Sequence, residues 1–217
     1  MRIGIFCNGR SGSTSLFNYL NCCFLQENKK YNLFFEPFNF INPNREDKEK
    51  TIDNIINKEN IILKTFIDRD NYPTKSFSNF DDYLIWVYSF FDKIIVLERK
   101  NKRLQAESLV YHIKLSKNRT VSPYWHKPKY YDLNEIDEKN ILELTKHLES
   151  ESFFLKSISE KGYPLYYFED IFVEKKSDVI NSLNEYCGIK HHLTCVNEWI
   201  NSPYKKVRIE KKSNNII

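Results

Sequence analysis

A short polar segment near the N-terminus carries the residues with the clearest chemical meaning. Residues Asn8–Ser15 spell Asn-Gly-Arg-Ser-Gly-Ser-Thr-Ser and lie between an apolar run, Arg2–Cys7, and a helical pattern that begins at Ser13. A turn of this kind gathers backbone N–H groups at a helix N-terminus, where unpaired donors and the positive end of the helix dipole meet. The segment therefore predicts an anion site, which in an enzyme usually holds a phosphate group.

The residue types in this turn differ from those of a nucleotide triphosphatase loop. That loop follows the pattern G-x-x-x-x-G-K-[ST], in which the lysine contacts the β- and γ-phosphates and the hydroxyl binds magnesium. Here no lysine precedes the hydroxyls, and Arg10 lies inside the turn instead. The candidate anion contacts are consecutive residues: Ser11, Gly12, Ser13, Thr14 and Ser15. The alternative interpretation is an ordinary turn in which Ser13 or Thr14 caps the helix.

A second charged segment follows a later apolar run. The run Ile94–Glu98 leads into Arg99, and Ser108 lies on the helical pattern that comes next. Because an arginine offers a fork of donors suited to phosphate, we expect Arg99 and Ser108 to converge on a second anion. The alternative is a charged strand-to-helix turn at the surface. Two separate anion sites would suit a nucleotide that carries well-separated phosphates.

Alternating strand and helix patterns position both segments. Short apolar runs rich in branched and aromatic residues predict buried parallel strands at Arg2–Cys7, Ile61–Phe66, Lys93–Glu98 and Pro164–Phe168. Helical patterns lie between and after them, at Ser13–Phe24, Thr51–Asn57, Phe80–Phe91, Lys102–Ser116, Ile141–Lys161 and Ser177–Cys187. Ser177 is the expected N-cap of the last helix, and Gly188 is its expected C-terminal stop.

This alternation predicts the α/β class, as a P-loop-like three-layer fold with a central, mainly parallel β-sheet flanked by helices. Ligands in such sheets bind at the carboxyl ends of the strands, and both charged segments fall there. The chain has 217 residues and no internal repeat. We therefore expect a single domain over residues 1–217.

Composition argues against several classes of protein. Apolar residues make up 41% of the chain, enough for a core, so the chain is not of the disordered class. The net charge of +4 suits an anionic ligand but is too small to predict nucleic-acid binding. The five cysteines lack C-x-x-C spacing, and their odd number favours reduced thiols and a cytoplasmic location. We expect no signal peptide and no membrane span, because a strand begins at once and no apolar run is long enough.

Two segments together resemble a known enzyme family. Gly9–Leu16 and Leu97–Leu109 are similar to the 5′-phosphosulfate and 3′-phosphate loops of sulfotransferases that use 3′-phosphoadenosine 5′-phosphosulfate (PAPS). The closest similarity is to the bacterial carbohydrate type, such as the trehalose and nodulation-factor sulfotransferases. Weaker similarities occur at Phe35–Pro37, Ile62–Lys64, Tyr124–His126 and Tyr167–Ile171.

The resemblance implies that PAPS is the cosubstrate and that no metal takes part. It implies that PAPS is held by Arg10, by the residues Ser11–Ser15 and by Arg99 and Ser108. Arg10 matches the basic residue that in this family contacts the bridging and terminal oxygens of the phosphosulfate, and it would stabilise charge on the leaving phosphate.

The acceptor hydroxyl needs a base, and Glu36 matches a glutamate of the carbohydrate-type enzymes. Its phenylalanine neighbours would partly desolvate the carboxylate and help it to accept a proton near neutral pH. The alternative is an ion pair, for example with Lys64. His126 and His112 are further candidates for the base, and Glu169 with Asp170 is expected to cap a helix or orient basic groups.

The resemblance favours a carbohydrate or glycolipid acceptor, and two other functions stay open. A small P-loop kinase would need a lysine in the first loop and an acidic magnesium ligand after a strand, where this chain has Arg99. A non-catalytic nucleotide- or nucleic-acid-binding module would use the basic residues Lys205–Lys212, although the chain lacks a dense basic stripe.

Overall fold

The computed structural model describes residues 1–38, 48–66, 76–117 and 135–190. The strands are β1 (Arg2–Cys7), β2 (Asn32–Phe35), β3 (Ile61–Phe66), β4 (Lys93–Glu98) and β5 (Leu165–Tyr167). The helices are α1 (Ser13–Gln26), α2 (Lys48–Ile56), α3 (Phe80–Phe90), α4 (Lys102–Lys117), α5 (Glu135–Ser159) and α6 (Ser177–Cys187). A short π-helical turn, Glu169–Val173, joins β5 to α6.

The strands form one sheet in the order β2-β3-β1-β4-β5, and every pair is parallel. This confirms the predicted α/β class, with a sheet that is wholly parallel in the described part of the chain. The predicted bounds of β1, β3 and β4 are confirmed, and β5 is one residue shorter at each end than predicted. β2 was not predicted, because this edge strand is short and half of it is exposed, which leaves no buried apolar run.

The central strands are apolar along their whole length because both faces of the sheet are covered. Successive side chains of a strand point to opposite faces. Ile3 and Ile5 of β1 therefore pack in the cluster that contains α1 and α6, whereas Phe6 packs in the cluster that contains α2, α3 and the end of α5. A third, smaller cluster joins α4 to the first half of α5.

The helices that follow β1 and its neighbouring strands lie on opposite faces of the sheet. The chain leaves β1 through α1 on one face, and it leaves the neighbouring strands β3 and β4 toward α3 and α5 on the other face. Adjacent strands whose connections go to opposite faces open a gap at their carboxyl ends, where α/β proteins bind ligands. The loop that follows β1 starts at this edge of the sheet.

Helix ends differ from the predicted ones in a few places. α5 begins at Glu135, earlier than the predicted Ile141, and α2 begins at Lys48. The prediction that Ser177 is an N-cap is wrong: the cap residue is Lys176, and it makes no side-chain cap bond. Gly188 does end α6 in the left-handed conformation, with φ 66°, which confirms the predicted stop.

None of the helices in the described ranges combines the length and the hydropathy that crossing a bilayer requires.

One buried hydrogen bond ties α1 to α6 beneath the sheet. The Tyr19 hydroxyl, fully buried, donates to Asn184 Oδ1 at 2.6 Å. Replacing Tyr19 by phenylalanine leaves that acceptor buried, so we expect the free energy of unfolding to fall by about 1–3 kcal/mol. Urea unfolding measures the change. Tyr163→Phe is the control, since Tyr163 packs against Tyr88 through its ring, and an equal loss in both variants would contradict this role for the hydroxyl.

Candidate anion site at the carboxyl edge of the sheet

The loop between β1 and α1 has the backbone geometry of an anion cradle. Gly12 occupies the N-cap position of α1 with a left-handed backbone, φ 85°, and no side chain caps the helix. The alternative in which Ser13 or Thr14 is the cap is therefore wrong. The N–H groups of Ser15 and Leu16 donate to the Gly12 carbonyl at 2.9 and 3.3 Å, which closes the first turn of the helix.

Several donors around this loop lack an acceptor within the described part of the chain. They include the backbone N–H groups of Gly12, Ser13 and Thr14. Two side-chain atoms, Asn8 Nδ2 and Ser11 Oγ, are also buried without a hydrogen bond to any described residue. Because a buried donor without a partner costs free energy, an anion that accepts from these groups would stabilise the loop.

Phe168 explains why residue 12 must be glycine. Its ring lies where the side chain of any other residue at position 12 would project. The same ring lies beneath Arg99, whose guanidinium carbon is 5.2 Å from the ring centroid. Phe168 therefore connects the end of β5 to both charged segments.

We expect Gly12→Ala to lower the free energy of unfolding by about 1–3 kcal/mol, because a methyl group would overlap the Phe168 ring and the backbone is left-handed. Urea unfolding checks this value. Gly9→Ala is the matched control in the same loop, since a Cβ at Gly9 meets no atom within 4 Å. Equal stabilities of the two variants would show that Phe168 does not constrain the loop.

Arg10 connects the first loop to α4. Its Nε donates to Ser108 Oγ at 3.2 Å, and Gln105 Nε2 donates to the Gly9 carbonyl at 2.7 Å. The structure thus brings the two segments identified in the sequence to one place. Ser108 lies beside Arg10, while the Nε of Arg99 lies 3.6 Å from Glu169 Oε1.

Lys64 has a place at the cradle that the sequence did not predict, since it was named there only as an ion-pair partner of Glu36. It belongs to β3, yet its side chain is only 3% exposed and its Nζ lies 3.5 Å from Thr14 Oγ1. The neighbouring strand therefore brings an ammonium to the cradle, although the loop itself contains no lysine. A lone lysine within an apolar strand was the available signal, because burying an unpaired charge is costly.

Glu36 lies beside Lys64 at the end of β2. The two side chains form a short ion pair, and the Glu36 N–H donates to the Lys64 carbonyl at 2.7 Å. The ion-pair alternative for Glu36 is thus confirmed, while its action as a base stays a prediction. Glu36 and Arg10 both have left-handed backbones, with φ 47° and 60°. Such conformations cost about 1–3 kcal/mol and cluster at functional sites.

A buried thiol lies beneath the cradle. Cys7, at the end of β1, donates its S–H to the Thr65 carbonyl, with a sulfur–oxygen distance of 3.6 Å. Burial raises the pKa of the Cys7 thiol, and the Lys64 ammonium partly opposes that rise. The thiol therefore stays protonated and packs as a small apolar group.

The carboxylates after β5 hold the second charged segment in place. Glu169 accepts from the N–H of Lys100 at 2.9 Å, and Asp170 pairs with the ammonium groups of Lys100 and Lys176 at 2.5 and 2.6 Å. Burial opposes the effect, but the hydrogen bonds from these two lysines lower the pKa of Asp170. The expectation that Glu169 and Asp170 orient neighbouring basic groups is confirmed.

Other predicted contributors lie outside the described residues. They include His126 and the basic segment Lys205–Lys212. His112 lies on α4, but its side chain is not among those described.

Comparison of the chain with protein-family models, with curated proteins and with solved structures gives no match. The geometry of this site is therefore the basis for a functional assignment. N–H groups that have no acceptor among the described residues, two cations and a carboxylate surround the loop between β1 and α1.

Proposed function

We propose that this protein is a sulfotransferase that transfers a sulfuryl group from PAPS to the hydroxyl of a carbohydrate or glycolipid. The observation that carries the proposal is the junction of the two charged segments, where Arg10 of the first loop donates to Ser108 of α4. One nucleotide with phosphates at two positions would contact both walls of this junction. The N–H groups of Gly12–Thr14, which have no acceptor among the described residues, suit its 5′ end.

The residues of the cradle fit an in-line displacement at sulfur. Glu36 would take the proton of the acceptor hydroxyl as the new S–O bond forms. Arg10 and the N–H groups of the cradle would stabilise the negative charge that builds on the phosphate oxygen as its bond to sulfur breaks. Positioned donors of this kind contribute about 2.7–4 kcal/mol each to catalysis.

One observation favours a second candidate, a small P-loop kinase. Lys64 supplies to the cradle the ammonium that the loop lacks, which removes one argument against phosphoryl transfer. The acidic residue at the end of β4 argues against a kinase, because its contacts already occupy the carboxylate that would have to bind magnesium. Glu98 is buried and is held by Ser152 at 2.6 Å and Lys102 at 3.4 Å, on the face of the sheet that packs against α5.

Ligand-induced stabilisation separates the two candidates. We expect 3′-phosphoadenosine 5′-phosphate (PAP), the nucleotide product, to raise the melting temperature, and ATP with magnesium to leave it unchanged. A ligand present at 100 times its dissociation constant stabilises the native state by about 2.7 kcal/mol. Stabilisation by ATP with magnesium alone would favour the kinase, and stabilisation by neither would contradict both. Transfer of sulfur-35 from PAPS to a panel of sugars, glycolipids and phenols then identifies the acceptor.

A further inference from the structure

The Lys64 ammonium lies between two groups with which it can interact. On one side it pairs with the Glu36 carboxylate, and on the other its Nζ is 3.5 Å from the hydroxyl of Thr14. The N–H of Thr14 has no acceptor among the described residues, so an anion in the cradle would lie next to this hydroxyl. One cation therefore borders both the general-base candidate and the anion cradle.

The surroundings of Lys64 hold the ammonium without fixing its direction. Its Nζ lies 4.3 Å from the ring centroid of Phe35 and 5.0 Å from that of Phe66. Attraction to a ring face tolerates a small displacement of the cation better than a directional hydrogen bond does. Because the side chain is almost fully buried, an anionic partner rather than water must balance its charge at either position.

We propose that Lys64 is a positioning residue that the nucleotide moves. When the 5′-phosphosulfate occupies the cradle, the ammonium turns from Glu36 toward the bound anion, and Glu36 is released to accept the proton of the acceptor. Glu36 keeps its place because its backbone N–H is bonded to the Lys64 carbonyl. This inference rests on the proposed function and adds an order to it: the donor binds before the base becomes active.

A carboxylate that is bonded to an ammonium accepts a proton less readily than a free one. In the absence of donor nucleotide, Glu36 would therefore be kept from activating an acceptor or a water molecule. The two anions compete for one cation, so nucleotide binding and the Glu36–Lys64 pair oppose each other. By linkage, removing the Glu36 charge must strengthen nucleotide binding, and it must do so through Lys64.

A double-mutant cycle on PAP affinity tests this coupling without relying on turnover. Titration calorimetry measures PAP dissociation constants for the wild type, Glu36→Gln, Lys64→Met and the double variant. We expect Glu36→Gln to tighten binding by about fivefold or more, the lower end of typical coupling between sites. In the Lys64→Met background the same substitution should have little effect.

The outcomes separate this inference from the function on which it rests. If Glu36→Gln tightens PAP binding equally in both backgrounds, its effect is general charge repulsion, and the movement of Lys64 is refuted while the sulfotransferase stands. If PAP does not bind the wild type, both fall. Should Lys64→Met fail to fold, a crystal structure of the wild type with PAP decides. Lys64 Nζ must then lie on the 5′-phosphate and more than about 4 Å from Glu36, and an intact ion pair would overturn the proposal.

Discussion

Replacing Lys64 by methionine is expected to destabilise the protein by about 3 kcal/mol, the largest change in stability that any residue of the site should produce. The substitution leaves the Glu36 carboxylate, whose side chain is 13% exposed, without the ammonium that balances its charge. Breaking a buried ion pair from one side typically costs about 3–5 kcal/mol, and the partial exposure of Glu36 favours the lower value. Urea unfolding of the variant and the wild type measures the difference.

Two further variants show whether the loss comes from the Glu36 carboxylate once the Lys64 ammonium is removed. Adding Glu36→Gln to Lys64→Met removes that charge, so the double variant should recover most of the stability. Glu138→Gln is the control, because Glu138 pairs with Arg103 at the surface, where the two side chains are 47% and 54% exposed. Its loss should stay below about 1 kcal/mol. A Lys64→Met variant as stable as the Glu138→Gln control would show that the pair does not hold this edge of the sheet.

Replacing Arg10 by alanine is expected to lower kcat of the proposed sulfuryl transfer by about 10²–10³, which corresponds to the loss of one positioned donor. Binding of PAP should change less than kcat, because the proposed interaction strengthens as charge builds on the leaving phosphate. Steady-state kinetics with varied PAPS separates the two effects. An unchanged kcat would remove Arg10 from the mechanism.

The backbone of Arg10 allows a second variant that separates activity from stability. Its φ of 60° is costly for arginine but ordinary for glycine. Arg10→Gly should therefore lose as much activity as Arg10→Ala without a comparable loss of stability. Arg103→Ala is the activity control, since Arg103 is exposed on α4 and pairs with Glu107 and Glu138. Reduced turnover in this control would point to a general effect of charge rather than to Arg10.

Much of the sheet could be predicted because its central strands are continuous apolar runs. β1, β3 and β4 are covered on both faces, so each stands out between polar segments. β2 gives no such pattern: Leu33 is 44% exposed and Asn32 is polar. Its place in the sheet comes from pairing with β3, a contact between distant residues that local patterning does not reveal.

The predicted and the missed parts of the site also differ in whether local patterning or a contact between distant residues places them. The loop after β1 and the segment after β4 are each recognisable from consecutive residues, and adjacent parallel strands bring their ends together. Lys64 belongs to β3, the strand beside β1, and not to the loop itself. Only the parallel register of β1 and β3 places its side chain at the cradle. The prediction that Ser177 caps α6 was wrong for a local reason. Ser177 is already the first residue of the helix, so the cap position belongs to Lys176, the residue before it.

The two walls of the site, the loop after β1 and helix α4, are expected to differ in the free energy of local opening, because α4 packs in a cluster of its own with α5. The first loop is anchored in the sheet, whereas Ser108 lies on a helix whose apolar contacts, among the side chains that the structure describes, form a small cluster with Ala106, Val110, Ile141 and Leu148. Elements with few buried apolar contacts open at lower free energy than the core does. Amide hydrogen exchange should therefore be faster in α4 than in β1, and PAP should slow exchange in α4 most. If the proposed function holds, the nucleotide would also have a structural role, because it would join the weakly packed α4 to the rigid loop after β1.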